Sequence, residues 1–473
     1  MSSINQKNTS KALFKNTGII AIGRISTKLV NFLLLPLYTS LLSKEEYGTI
    51  DLLSTYTALI VVVVGLQMSE ALFRFLVTNR NDEERIKSIF STVLFTTLGI
   101  SLVYTAIFLV AYPFLNILGK WYLLARVIIV LLYQIFLNAT RGIGHNADYA
   151  FGSFLSAAVT IVLNVIAIAV LHLGIEAMLL AYVIGPLVSC VFFVFKGKLY
   201  RYISFKHAST QERKTIFQYC IPLVPNELSW SVIHSSDRIV ISNIISIAAN
   251  GIIAAASKFS AIYTTVFSIF NTSWTEQVVL HYKDEGGKEY INDMFEKMVT
   301  FFASIAIGII AVMPFAFNIF IDTKFNEGYG LVPFYLSAVF FNAIIGMISS
   351  IYLINNETKQ VAISTMVAAA INLVIDLMLV KVIGIYAAPI SSLCGYATIS
   401  FWRLYDVNKR HCKISMKKRK VLILLVMLAA CFSTYYIDST IAHMISLVFV
   451  AGMAMYLNKS FISETVRLIV KKK

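Results

Sequence analysis

The chain carries little charge and none of the familiar signatures of catalysis. Only 14% of its 473 residues are charged and 58% are hydrophobic, a balance that excludes a soluble domain of this length. There is no G-x-x-x-x-G-K-[ST] stretch, so a P-loop nucleotide-driven pump is excluded, and neither H-E-x-x-H nor G-x-S-x-G occurs. No carboxylate pair sits in a loop with room for acid/base work. The five cysteines (Cys190, Cys220, Cys394, Cys412 and Cys431) are odd in number and form no C-x-x-C pair, so they read as small hydrophobes rather than a disulfide frame or metal site. The N-terminal stretch has no small-residue cleavage site, and its first apolar run is expected to stay as a helix. Short alternating segments are absent, which argues against a β-barrel.

What is present is length of apolar sequence. Mean hydropathy is +0.75. Fourteen runs of spanning length cover roughly 14–42, 48–73, 88–112, 119–141, 149–172, 175–196, 215–246, 249–280, 297–321, 328–354, 360–381, 383–405, 419–437 and 440–458. The fold class is an all-α polytopic membrane protein with 14 transmembrane helices. The net charge of +15 reflects loop topology and not a nucleic-acid partner. With the N-terminus inside, the cytoplasmic segments hold 31 of the 40 Lys and Arg residues, and the outer loops hold only Lys44, Lys120, Lys324 and Lys381. Arg126, near the outer end of span 4, reads as a snorkelling side chain. Both termini are therefore expected to be cytoplasmic.

An internal repeat organises the spans. Gly174-Ile-Glu-Ala…Gly185 opens span 6, and Gly384-Ile-Tyr-Ala…Gly395 opens span 12, 210 residues later. Tyr47-Gly48 before span 2 echoes Asn250-Gly251 before span 8. Six spans separate the equivalents, so the repeat is parallel, and transporters of this construction hold substrate between their halves. The expected layout is an N-terminal six-helix half (1–196), a cytoplasmic linker (197–214), a C-terminal six-helix half (215–410) and two additional helices with a basic tail (411–473).

Four cations lie inside apolar spans: Arg24, Lys28, Arg238 and Lys258. A charge at mid-bilayer costs about 3 kcal/mol or more, so such groups face a bundle interior or a wet cavity. Arg24, Lys28 and Asn31 share one helical face in a span without a carboxylate, with Pro36 expected to kink it. Span 7 is densely polar: Asn226, Glu227, Trp230, His234, Asp237 and Arg238 follow Pro222-Leu-Val-Pro225, and such a stretch lines water or protein rather than lipid. On an ideal helix Asp237 and Arg238 point apart, so a direct pair is not expected. Lys258, in a run of small residues, points into the cavity or pairs with Asp237. Glu70 and Arg74, four residues apart, are a surface ion pair or a gating element. Asp376 is a buried acid, either a proton or cation site or a structural partner. Trp274 reads as an interface anchor. A purely structural polar network is the alternative for all of these. Together they point to a central cationic cavity for an anion.

In order along the chain, several stretches resemble the polysaccharide-transporter branch of the multidrug/oligosaccharidyl-lipid/polysaccharide (MOP) exporter superfamily. They are span 1 running into Pro36-Leu37, then Glu46-Tyr47-Gly48, Pro222-Leu-Val-Pro225, Asp237-Arg238 and Gly384-Ile-Tyr-Ala. The resemblance implies a Wzx-type flippase and not an enzyme. Such a protein moves undecaprenyl-pyrophosphate-linked oligosaccharide units to the outer leaflet of the bacterial cytoplasmic membrane for capsule or O-antigen assembly. Arg24, Lys28, Arg238 and Lys258 would hold the pyrophosphate. No cofactor is expected. Coupling to Na⁺, H⁺ or the membrane potential is an open expectation, with Asp237, Glu227 and Asp376 as candidates. Membrane lipid, a polysaccharide polymerase and chain-length proteins are the expected partners. The alternatives are a cation-coupled multidrug antiporter, whose cavity would be acidic where span 1 here is basic, and, further off, a membrane polysaccharide polymerase.

Overall fold

A computed structural model describes residues 32–115, 119–461 and 463, and among these the regular structure is entirely helical. Sixteen α-helices follow one another: α1 (Leu35–Leu41), α2 (Lys44–Gly65), α3 (Met68–Thr78), α4 (Glu83–Ala111), α5 (Lys120–Gly142), α6 (Asn146–Val165), α7 (Gly174–Phe195), α8 (Thr210–Cys220), α9 (Val224–Ile244), α10 (Ile247–His281), α11 (Gly287–Phe320), α12 (Val332–Ile354), α13 (Thr358–Ile383), α14 (Ala387–Arg410), α15 (Lys418–Tyr435) and α16 (Thr440–Leu457). Ten stretches are long and apolar enough to cross a membrane, one of which, Thr358–Arg410, contains both α13 and α14. The chain is a multi-pass, all-α membrane protein. In lipid this is the expected outcome, because a helix satisfies its backbone donors and acceptors within itself.

Helix ends follow local chemistry. Glu46 of the Glu46-Tyr47-Gly48 stretch is the third residue of a capping box. Its carboxylate accepts from Ser43 N at 2.8 Å, while Glu46 N donates to Ser43 Oγ at 3.1 Å. Pro36 sits in the first turn of α1, where its missing N–H costs nothing. Span 2 is not one helix. Leu66 (φ 47°) and Gln67 (φ 57°) are both left-handed and divide it into α2 and α3.

The chain divides into two units, Met1–Val232 and Ile233–Lys473, and the division falls within α9. In the first unit, the core joins Leu72 and Leu76 of α3, Phe90 of α4, Phe136 of α5, Phe193 of α7 and Cys220 of α8. Residues 197–214 are tied to α4. Ser91 Oγ donates to Tyr202 O, Thr92 Oγ1 accepts from Ser209 N, and Arg85 pairs with the buried Glu212.

In the second unit, α15 and α16 pack on α11. Lys420 pairs with the buried Glu296 at 2.7 Å, and Asn458 Nδ2 donates to Ser304 Oγ at 3.0 Å. The rings of Tyr329 and Tyr435 stack 4.3 Å apart, and each hydroxyl donates to the other residue's carbonyl. Trp274 is an interior residue and not an interface anchor, because Nε1 donates to Met347 O at 2.9 Å inside the α10–α12 contact. Cys190, Cys220, Cys412 and Cys431 are buried and all five thiols are free.

The repeat is visible in the backbone of each unit. Gly174 (φ 72°) and Gly384 (φ 59°) both adopt a conformation that glycine tolerates best. Gly185 lies against Ser156 and Thr160 of α6, and Gly395 lies against Ala368 and Asn372 of α13. The same helix pair is thus built twice with a glycine at its closest approach. One helical turn further along, the register makes Asn164 of α6 the equivalent of Asp376 of α13, and both are fully buried.

Arg403, grouped by sequence with the loop charges after span 12, is one of the most buried side chains. Its guanidinium donates to Ser349 Oγ (2.8 Å), Ser364 Oγ (2.9 Å), Thr365 Oγ1 (2.9 Å) and Val361 O (3.0 Å), clamping α12 and α13 to α14. Replacing it by Met is expected to cost roughly 2–4 kcal/mol, because several buried oxygens lose a charged donor together. Thermal unfolding of the purified protein in detergent checks this.

Candidate functional site

The first unit contains a partly open cavity of about 490 Å³ with polar and apolar lining residues. Such a volume lies within the range of small-molecule sites, roughly 300–1,000 Å³. Residues of α2 at Ser54, Thr57, Ala58, Val61, Val62 and Gly65 form one wall by their i, i+3, i+4 spacing. Opposite them α5 presents Arg126, Val130, Gln134 and Asn138, four residues apart in turn. Gln67, Ser69 and Glu70 enter from the start of α3, Thr97 from α4, and Glu227 and Ser231 from α9.

Among the described residues, three charges line this space: the guanidinium of Arg126 and the carboxylates of Glu70 and Glu227. No ion pair joins any of them among the described residues. Arg126 packs its guanidinium over the Tyr182 ring at 4.6 Å, while its buried Nη1 has no hydrogen-bond acceptor. Thr97 Oγ1 is likewise buried without a partner. Buried donors without a protein acceptor are uncommon, and water or a bound molecule can supply the missing oxygen. Leu66 and Gln67 add backbone strain at the cavity edge, of order 1–3 kcal/mol each for non-glycine residues at positive φ, and such strain clusters at functional positions.

Arg126 does not snorkel from a helix end, as sequence alone suggests; it points inward to the cavity. The 126, 134, 138 spacing on an otherwise apolar helix was the available signal for this wall. Asn138, within an apparent glycosylation sequon, faces the same space. The Glu70–Arg74 surface pair does not form. Arg74 stacks over the Tyr219 ring at 4.4 Å and Glu70 lines the cavity.

Arg24, Lys28 and Asn31 lie outside the described residues. On α9, Asn226 keeps a buried Oδ1 without a partner, and Trp230 is half-buried beside the lining residues Glu227 and Ser231.

The remaining predicted residues fall in the second unit. His234 Nδ1 is 2.8 Å from the Tyr396 hydroxyl. Asp237 and Arg238 do form a pair, at 3.2 Å. The carboxylate folds back onto its own backbone, accepting from Arg238 N at 2.9 Å, and the long guanidinium wraps to meet it. Arg238 also donates to His234 O and Ser257 Oγ, so its charge is engaged by its own helix and α10. Lys258 is half-buried and does not pair with Asp237.

Asp376 is fully buried, and neither carboxylate oxygen has a hydrogen-bond partner. Asp237, itself buried, lies within electrostatic range. On the same two helices Ser236 Oγ donates to Asn372 Oδ1 at 3.0 Å. A buried, unpartnered carboxylate is costly unless a proton or cation joins it. In the first unit the equivalent position is the neutral Asn164.

The family described as "Polysaccharide biosynthesis protein" matches residues 13–275, more than half of the sequence. The chain belongs to that family. A sequence relative is Lsg locus putative protein 1 of Haemophilus influenzae, 38% identical over 63 residues. That match covers 13% of this chain and 16% of the relative, so the chain spans about a sixth of the length of the curated relative it matches. Among solved structures, the lipid II flippase MurJ in an inward closed conformation superposes with a TM-score of 0.73 at 15% identity, over 94% of this chain and 99% of that one. An inward-facing multidrug resistance MATE family transporter of the MOP superfamily gives 0.64 at 16% identity, over 82% and 98%. A point mutant of the Vibrio cholerae MATE transporter VcmN gives 0.58 at 16% identity, over 85% and 97%. At these identities the likeness is one of fold.

If the cavity is open to water, Gln134→Cys is expected to react with a small thiol reagent while the buried Cys190 and Cys220 do not. Mass spectrometry of the labelled protein reads this directly. Gln67→Gly should hold or raise thermal stability, by up to about 1 kcal/mol, because glycine relieves the positive φ.

Proposed function

We propose that this protein is an alternating-access flippase for an undecaprenyl-pyrophosphate-linked oligosaccharide. It carries the lipid-linked unit from the inner to the outer leaflet of the bacterial cytoplasmic membrane, in capsule or O-antigen biosynthesis. The observation that carries this reading is the polar cavity inside a membrane-embedded unit, with the Arg126 guanidinium left without an acceptor. Such a group is expensive in lipid and is stabilised by an anionic or oxygen-rich cargo. Membership of a polysaccharide biosynthesis family supports the class of cargo.

The distribution of Lys and Arg supports cytoplasmic termini. A pyrophosphate moving outward then travels down the membrane potential, a gain of about 4–5 kcal/mol per 100 mV for two charges at ~2.3 per charge. Arg24, Lys28, Arg238 and Lys258 remain the proposed pyrophosphate ligands, with Arg238 the more constrained by its existing bonds. A polysaccharide polymerase and chain-length proteins would act on the delivered unit.

Asp376 is the proposed coupling residue, taking up a proton or Na⁺ at its unpartnered carboxylate beside Asp237. The second reading, a cation-coupled multidrug antiporter, is favoured by the same carboxylate and by Glu70 and Glu227 in the cavity. The chemistry of the cargo separates the two.

In cells lacking the gene, lipid-linked oligosaccharide should accumulate on the inner leaflet, shown by its protection from an external glycosidase. Arg126→Gln is expected to reduce surface polysaccharide about tenfold, the cost of one charge-assisted hydrogen bond. Undiminished polysaccharide in the deletion, with drug sensitivity instead, would favour the antiporter. Asp376→Asn should fold normally and, in reconstituted vesicles, lose any response of transport to a Na⁺ or proton gradient.

A further inference from the structure

We infer that residues 196–214, which join α7 to α8 in the first unit, form a binding surface for the headgroups of anionic phospholipids. The segment holds six Lys and Arg residues and one acid, Glu212. Lys196, Lys198, Arg201, Lys206, Arg213 and Lys214 are all exposed, and none of them joins an ion pair among the described residues. Glu212 is buried against Arg85. The acids of the facing helix are engaged as well. Asp82 caps α4, Glu83 and Glu84 hold Lys87, and Glu84 also holds His207. Outside the described residues the chain has a single acid, Glu464, so the positive balance of this face stands whatever they contact.

Depth distinguishes this face from a solvated loop. The last charge of α4 is Lys87, and no charged residue follows it in that helix. The segment runs back along the uncharged part. Ser91 Oγ donates to Tyr202 O and accepts from Ser204 N, Ser209 N donates to Thr92 Oγ1, and the Phe205 ring stacks on Phe95 at 4.0 Å. Phe95 lies about 12 Å along the helix beyond Lys87. Phe205 is nonetheless 81% exposed, and Phe195 and Tyr200 are exposed close to the same cations in sequence. Exposed rings on the flank of a spanning helix fit the headgroup boundary. Neighbouring Lys and Arg lay their stems on apolar surface there and carry their charge to the phosphates. A cluster of four to eight such cations beside a span suits anionic lipid. A soluble acidic partner would gain nothing from rings at that depth.

A tryptophan at position 205 reports which lipid lies beside it. The full-length Phe205→Trp protein is placed in nanodiscs containing phosphatidylglycerol or phosphatidylcholine brominated in the acyl chains. Quenching beyond that of the wild-type tryptophans is read against the mole fraction of each. Phosphatidylglycerol is expected to be preferred about tenfold, and the preference to weaken as salt is raised. Replacing Lys198, Arg201 and Lys206 by Gln should bring the two lipids to within about twofold. Equal quenching by both lipids before any cation is removed overturns the headgroup assignment. Quenching by neither places the segment in water and overturns it too. A preference unmoved by the three substitutions puts the anion elsewhere, with the same consequence. Unchanged thermal unfolding qualifies each variant, and Tyr200→Trp is the second reporter where Phe205→Trp lowers it. None of these readouts depends on the transported cargo.

Discussion

Lipid offers no hydrogen bonds, and every other feature of this protein is arranged around that constraint. Backbone groups must close on themselves, so the regular structure that is described is all helical. Side chains that need partners must find them inside a unit. Arg403 does so completely, with a ring of neutral oxygens. The Glu296–Lys420 and Arg85–Glu212 pairs do so by charge. A polar group that finds nothing is therefore informative, because the usual alternative, turning toward water at a surface, is closed to it.

Two of the places that leave such groups involve a charge. In the first unit, Arg126 and Thr97 face a cavity shared with two carboxylates and three amides. In the second, Asp376 is buried beside Asp237 with nothing donating to it. The two positions are chemically different: one gathers a guanidinium, carboxylates and amides around a cavity, and the other is a single buried carboxylate. The repeat gives the Asp376 position a counterpart of its own in the first unit. The α6–α7 and α13–α14 pairs share their glycine contacts, yet Asn164 in one corresponds to Asp376 in the other. The same backbone thus supports a neutral position in one unit and a charged one in the other.

Much of the architecture was legible from the residues. Apolar runs of spanning length located nearly every helix, since the bilayer demands about 20 apolar residues and tolerates few departures. The G-I-x-A-x7-G repeat was readable because positive φ and close packing both require glycine. The break at Leu66–Gln67 was not readable, because neither residue advertises a left-handed conformation. Arg126 and Arg403 were misplaced for a shared reason. Position near a span end is the same whether a long side chain reaches out to the headgroups or curls inward, and only the neighbours on other helices decide. The Asp237–Arg238 pair escaped an ideal-helix argument because side-chain length and a backbone-bonded carboxylate overcame the angular separation.

Sequence by itself determined that the chain is a helical membrane protein with a glycine-marked repeat and with charges it cannot leave in lipid. Hydropathy, glycine placement and the cost of buried charge are local properties, written residue by residue. Tertiary structure decided which charges are satisfied by other residues of the protein and which are not. Arg238 and Arg403 are taken up by neighbours, while Arg126, Glu70, Glu227 and Asp376 are not. That division depends on contacts between helices far apart in the chain, where a partner is present or absent by distance alone.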